Sequence, residues 1–397
     1  MHTAQLVICG AGVLGLTIAR ELVQRGADDI LILEKENRLG AHASGRNSGV
    51  LHAGIYYTPG SARAQTCIQG NQLMRAYCTS KGLPLSECGK VIVTTCAEQL
   101  PGLVTLHQRA TENGSQVSLI DEKELLEIEP NARTTEQALH SPLTAVVDPR
   151  VILKQIAEDL LASKKVRILF DCKVAGRSGT DGLRTSQGRI EYKRLLNCAG
   201  AHADTLAHAF GLGQRYVIVP FKGCYKKLRP ERSGMIRGNI YPVPDVRNPF
   251  LGVHFTKSIS GDVYIGPTAT PAFGRENYGI VQGLDAEAPE ILLRDAVLFV
   301  KNEKFRTVAF DELRKYFFKY FFADCEKLVR GLQPSDIESS PKVGIRPQLV
   351  DVKTHELVMD FKVEAGENSV HVLNAISPAF TSSMAFAKML CDEHFSS

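Results

Sequence analysis

Two stretches of this 397-residue chain crowd chemistry-bearing residues together. The first is Gly10-Ala11-Gly12-Val13-Leu14-Gly15, with Glu34 and Lys35 downstream. The second, HASGRNSGVLHAGIYYTPGS, runs over residues 42–61 and sets Gly45, Gly49 and Gly54 among short hydroxyls and amides. It then brings His52, Tyr56 and Tyr57 close together. An imidazole suits proton transfer near neutral pH. Neither helical nor strand periodicity runs through this second stretch. A long irregular loop in a compact domain is usually functional or disordered, and Val50, Leu51 and Ile55 make this one too apolar for a disordered tail.

The elements around these residues say what they would hold. QLVIC, residues 5–9, reads as a strand, and Val13, Leu16, Ala19, Leu22 and Val23 then recur at helical spacing. A second strand, ILILE, ends in Glu34. In that order Gly10 permits a tight turn, Gly12 lets the backbone approach a pyrophosphate, and Gly15 lets helix and strand pack closely. The helix N-terminus offers free N–H groups and a positive dipole end, and Glu34 stands where a carboxylate meets an adenosine ribose. A dinucleotide site follows; a bare structural βαβ unit is the alternative. A plain NAD domain would continue with another regular helix and strand after Glu34. Instead comes the irregular stretch, then a helix over residues 61–81 stopped by Gly82. Backbone N–H groups and short polar side chains at Ser44, Gly45, Arg46, Asn47, Ser48 and Gly49 suit a flat polar heterocycle such as a flavin.

Composition narrows the class. The length argues for two domains, and the 44% hydrophobic and 23% charged fractions are those of an ordinary globular protein. A formal net charge of +4 with scattered basic residues gives nucleic-acid binding little support. Ten cysteines without a CxxC pair form neither a disulfide framework nor a zinc site, and no metal is expected. They read as reduced thiols, and the chain as cytoplasmic. Residues 6–19 imitate a signal-peptide core but lack the basic leader. No other apolar run approaches the roughly 20 residues needed to span a bilayer.

GAGVLG, the 42–61 block, FKGCYKKL (221–228), IYPVPD (240–245), FLGVHFT (250–256) and NAISPAFTSS (374–383) resemble the L-2-hydroxyglutarate oxidases and dehydrogenases. These form a branch of the FAD-dependent, D-amino-acid-oxidase-like superfamily. Arg46 departs from the His or Asn expected there, and residues 285–336 match no motif. The resemblance implies non-covalent FAD and oxidation of L-2-hydroxyglutarate, a 2-hydroxy dicarboxylic acid, to 2-oxoglutarate. Hydride would pass to flavin N5 and electrons onward to oxygen or a membrane quinone. Alternatives are an amine or amino-acid oxidase on the same fold and an FAD-binding protein without redox chemistry; an NAD-only dehydrogenase fits worst.

Such a reaction needs a base for the hydroxyl proton, a cation for the α-carboxylate, and positive potential at the N1–C2=O edge of the reduced ring. His52 and His254 are the candidate bases. The resemblance places Arg346, in GIRPQL, on the carboxylate, where a guanidinium binds bidentately; a plain salt bridge is the alternative. Phe380, Thr381, Ser382 and Ser383 open the last helix and suit the flavin edge. Tyr57 and Tyr241 are candidate hydrogen-bond donors. For the distal carboxylate Lys222, Arg46 and Lys257 stand open.

The expected fold is α/β, a Rossmann-type FAD domain with a second α+β domain on a large mixed or antiparallel sheet. As in the superfamily, the FAD domain is discontinuous: residues 1–86, 148–215 and 342–397, with 87–147 and 216–341 forming the substrate domain. Asp148 caps a helix that starts at Pro149. RLLNCAGAHAD, residues 194–204, gives a second strand-to-helix unit, with Ala199 and Gly200 close to FAD and Val174 nearby. Residues 310–330 read as one amphipathic helix, with Phe310, Leu313, Phe317, Tyr320 and Phe321 on one side and basic residues around them. It serves either as a core helix or as an interfacial helix at an anionic membrane face.

Overall fold

The computed structural model describes residues 2–244 and 252–395. Asp245 and Phe250, within two of the quoted motifs, lie outside these residues. The strand His2–Cys9 runs parallel to Ile30–Leu33 on one side and to Gly188–Asn197 on the other. Val166–Leu169 extends one edge in parallel, and Ser369–Asn374 pairs in parallel with Gly188–Asn197. Three further strands complete an eight-stranded sheet. Both faces of a parallel sheet must be covered, which is why its strands are apolar runs rather than alternations. Ile8 and Ile32 pack under the helices Val13–Gln24, Pro149–Ala162 and Ala379–His394, while Val7, Leu31 and Leu195 serve a second core behind.

Local signals set the helix ends. Ser61 accepts from the Ala64 N–H to start Ala62–Lys81, and Gly82, at φ +63°, ends it. Asp148 caps Pro149–Ala162 by accepting from the Arg150 and Val151 N–H groups.

The second sheet has ten strands. From one edge it runs Glu356–Leu357, Ile337–Asp351, Tyr216–Leu228, Val263–Gly266, His254–Lys257, Asn239–Pro242, Lys90–Val93, Gln137–Ser141 and Ser118–Asp121, and Thr270–Pro271 joins the third of these. It is mixed, because Asn239–Pro242 and Lys90–Val93 pair in parallel while their neighbours are antiparallel. Three short strands, Val50–Leu51, Ala145–Val147 and Leu85–Ser86, fasten the loop that carries His52.

The sheet register and the helix ends bear on two expectations. The division at 341/342 falls inside Ile337–Asp351, whose ladder against Tyr216–Leu228 continues to Asp351. The second sheet runs on to Leu357, while Leu349 of the same long strand packs with Ala203, Ala207 and Leu373 beside the first sheet. Residues 310–330 are not one helix. Glu303–Arg314 ends at Lys315, Phe317 is extended at ψ 115°, and Phe318–Glu326 starts anew. Lys315 is buried on Glu312 at 2.5 Å, and Glu312 also accepts from the Ala269 N–H, which turns the chain inward where periodicity continues it. Phe321 belongs to the core, whereas Phe310 and Phe317 are 61% and 69% exposed.

Candidate active site

The glycine turn is packed to its limit. A Cβ at Gly10 would stand 2.5 Å from the Cys198 carbonyl oxygen, and one at Gly15 2.0 Å from that of Gly10. At Gly12 the one neighbour within reach is Ser44 Oγ, 3.0 Å away. That hydroxyl accepts from the Val13 N–H at 2.9 Å and so closes a helix start that Gly12 cannot cap itself. Glu34 accepts from the Ala11 and Glu36 N–H groups at 3.1 and 3.0 Å, which fixes its carboxylate beside the turn.

The 42–49 loop is braced from within. Asn47 donates to the Ser44 carbonyl at 2.8 Å and accepts from the Gly49 N–H at 2.9 Å, and Ser48 Oγ accepts from the Val50 N–H at 3.3 Å. Gly45 abuts the Gly40 backbone. Across the sheet, Ala199 donates its N–H to Asn197 at 3.1 Å, Gly200 is open on its Cβ side, and Val174 starts an edge strand.

Lys35 and Arg46 are drawn into a different network. Lys35 Nζ lies 2.6 Å from Glu36, 2.5 Å from Glu276 and 2.8 Å from His42 Nε2. Glu36, His42 and Glu276 converge as metal ligands do, but the lysine ammonium already supplies the cation. The Arg46 guanidinium sits 3.9 Å from the centre of the Tyr278 ring and donates to the Ala41 carbonyl. Glu276 and Tyr278 belong to a strap, residues 272–285, that crosses from the second sheet to the first. Arg275 anchors it, fully buried, on Asp204 at 2.5 Å and on Glu287 at 2.7 Å.

The two histidines meet where the loop faces the second sheet. His52 donates its backbone N–H to Thr381 Oγ1 at 3.1 Å, and Thr381 in turn donates to the Val50 carbonyl. The helix behind them, Ala379–His394, has Pro378 as N-cap and no capping side chain. Ser382 Oγ is buried without a partner there, whereas Ser383 donates to the Phe380 carbonyl. Burial, then the positive charge of Lys90 and the neighbouring His254, hold His52 well below the usual histidine range. Its Nδ1 is buried and unpartnered. His254 stacks on Tyr241 with centroids 3.9 Å apart. Its Nδ1 lies 2.8 Å from the Gly252 carbonyl, so Nδ1 carries the proton and Nε2 is the acceptor. Burial, aided by Arg346 and Lys90, pushes His254 down to about 3.

Chain-folded neighbours of this shape are known. The profile of the family described as FAD dependent oxidoreductase matches residues 5–393. L-2-hydroxyglutarate dehydrogenase of Indibacter alkaliphilus is 36% identical, over 98% of this chain and 98% of its own. The human mitochondrial protein of that name is 34% identical over 98% of this chain and 88% of its own. The chain belongs to the FAD-dependent oxidoreductase family, in its L-2-hydroxyglutarate dehydrogenase branch. FAD-bound L-α-glycerophosphate oxidase of Mycoplasma pneumoniae superposes with a TM-score of 0.75 at 22% identity, covering 98% of this chain and 94% of the other. Glycine oxidase of Geobacillus kaustophilus gives 0.72 at 20%, covering 99% and 94%.

For a member of that family the cradle fits its cofactor. Gly12 puts no side chain between the helix start and a pyrophosphate, Glu34 is fixed for a ribose, and the uncapped start of Ala379–His394 lies behind His52.

Among the expected substrate contacts, Tyr241 stacks on His254, and the charge of Arg346 bears on both rings. Others do not. Lys222 pairs across from Ile345 and Arg346 across from Phe221, so alternation puts the two on opposite faces, and Lys222 donates to the Gly279 carbonyl at 2.6 Å. Lys257 donates to the Ser233 carbonyl at 2.7 Å. Tyr57 packs with Ala64 and Cys67 and lies under Arg63, 4.6 Å from its ring centre. The sequence gives no role to Tyr56, whose buried hydroxyl is unpartnered, and does not single out Lys90.

Proposed function

We propose that this protein oxidises L-2-hydroxyglutarate to 2-oxoglutarate, with the histidine cluster as its reaction site. The observation that carries the reading is the buried stack of Tyr241 on His254, together with His52 fastened through Thr381 to the start of Ala379–His394. Bound FAD supplies the hydride acceptor. Arg346 binds the α-carboxylate and turns the carbinol carbon toward the loop. His52 Nδ1, buried and without another partner, takes the hydroxyl proton. Both imidazoles are neutral at pH 7, and the incoming carboxylates offset the cations that depress them, so substrate entry raises the basicity its own oxidation needs. The first-turn N–H groups of Ala379–His394, which no side chain caps, would stabilise negative charge on the reduced cofactor. Electrons leave to a quinone at an anionic membrane, met through the exposed aromatic residues of the 303–326 helices, with oxygen as the other acceptor.

Anaerobic titration of the yellow protein with L- and D-2-hydroxyglutarate tests this. The L form bleaches the flavin and the D form does not; bleaching by amino acids alone returns the amino-acid oxidase reading. His52→Ala slows reduction by roughly 10²–10⁴-fold. Reduction at the wild-type rate would move the base to His254 Nε2.

A further inference from the structure

Lys90 opens the strand Lys90–Val93, in the apolar run KVIV, and is only 2% exposed. Among the described residues it is the one lysine whose buried ammonium has no hydrogen-bond partner, and no carboxylate pairs with it. Its Nζ lies 4.7 Å from the centre of the Tyr56 ring and 5.0 Å from that of Tyr241. The Tyr56 hydroxyl is itself buried and unpartnered. Sheet register explains the placement. Tyr241 is level with Ile92 in the parallel ladder, and Ile92 and Lys90 share a face two residues apart. One rung beyond Ile240 opposite Phe255, Tyr241 stands across from His254. Lys90, Tyr241 and His254 therefore line one face on three adjacent strands. Lys90 and Arg346 both act on His254, from strands that lie on either side of His254–Lys257 in the sheet order.

A buried, uncompensated ammonium costs several kcal/mol, and two aromatic faces return only part of that. Such a group fits a site whose missing counter-ion arrives with the ligand. We infer that Lys90, with the Tyr56 hydroxyl beside it, binds the distal carboxylate of the substrate and selects dicarboxylates over monocarboxylic 2-hydroxy acids. The inference rests on the proposed substrate. It completes the charge count: a dianion meets two cations, Arg346 at the reacting end and Lys90 at the far end. Lys222, Arg46 and Lys257 each donate to a backbone carbonyl elsewhere.

The test compares FAD-loaded wild type and Lys90→Met on L-2-hydroxyglutarate and L-2-hydroxyvalerate, which differ only by a distal carboxylate against a methyl group. Methionine keeps the length of the side chain and removes a buried charge; Lys90→Gln serves if it does not fold. In the variant kcat/KM for the dicarboxylate falls about 10²–10³-fold, mainly through KM, while that for hydroxyvalerate changes less than about threefold. Equal loss on both substrates, or an unchanged preference, overturns the assignment. Glutarate binding, read from the flavin spectrum, keeps the two readings apart. A wild type inert to L-2-hydroxyglutarate sinks the substrate proposal, whereas glutarate bound by wild type and lost in the variant still supports Lys90. Equal glutarate binding by both refutes it.

Discussion

Lys90 and His254 leave separate marks on the pH dependence of stability, and the sign is the same for both. Burial holds Lys90 at about 7 in the fold, against 10.5 for a free lysine. Between those values the unfolded chain binds more protons, so the ligand-free protein gains stability as pH rises from about 7 toward 10.5. The slope is at most about 1.4 kcal/mol per pH unit. His254, at about 3 against 6.5 unfolded, withdraws stability as pH falls below 6.5. His52 adds to the same acid loss, since burial lowers it too. Tyr56, Tyr241, Cys67 and the two histidines face Lys90 in wild type and Lys90→Met alike, so their titration cancels in the difference. Urea unfolding at pH 7.5 and 9.5 should show wild type gaining on Lys90→Met at the higher pH. Parallel behaviour of the two proteins would mean that the ammonium is already neutralised by a group of the protein.

At the scale of elements, the 288–326 helices hold the clearest surface anomaly. Phe310, Leu313, Phe317 and Tyr320 are exposed, with Arg314 and Lys319 between them, while Phe305, Val308 and Phe321 face inward. No helix among the described residues is long and apolar enough to cross a membrane. On the proposed reading this face meets an anionic bilayer, and its binding would then weaken with salt. Wild type should pellet with anionic liposomes at low salt, and Phe310→Ser with Phe317→Ser should remain in the supernatant with its thermal unfolding unchanged. Wild type that never pellets removes the membrane from the proposal. The same region shows where sequence reading stops. Capped helices such as Ala62–Lys81 and Pro149–Ala162 announce themselves by Ser61, Gly82, Asp148 and Pro149. The break at 315–317 does not, because it depends on Glu312 and Lys315 closing on each other in three dimensions. Lys90 was hidden for a related reason: one lysine before an apolar triplet reads as a strand edge until the neighbouring strands supply Tyr241 and His254. Between the adjacent Tyr56 and Tyr57, only packing decides which ring meets the lysine.

Across the whole molecule the strap at 272–285 ties the sheets together through one buried ion pair. Arg275 reaches Asp204 at 2.5 and 3.2 Å, and Asp204 also accepts from the Ile218 N–H at 2.8 Å. Asp204→Ala leaves a buried guanidinium short of its counter-ion and should cost about 3–5 kcal/mol in urea unfolding. Asp204→Leu combined with Arg275→Met should lose less than the single change, since apolar replacements of a buried pair are often tolerated. If the double variant is the worse of the two, the strap depends on those side chains for more than their charge.

The bond between the His52 N–H and Thr381 spans 329 residues of sequence, and that between Thr17 and the Ser383 carbonyl spans 366. These two closures fasten the last helix to the histidine loop and to the first helix. A polypeptide still emerging from the ribosome therefore owns the glycine turn and the histidine loop but not the helix that fastens them. On the proposed cradle, FAD capture is expected to wait for Ala379–His394, so a half-made chain should carry no flavin.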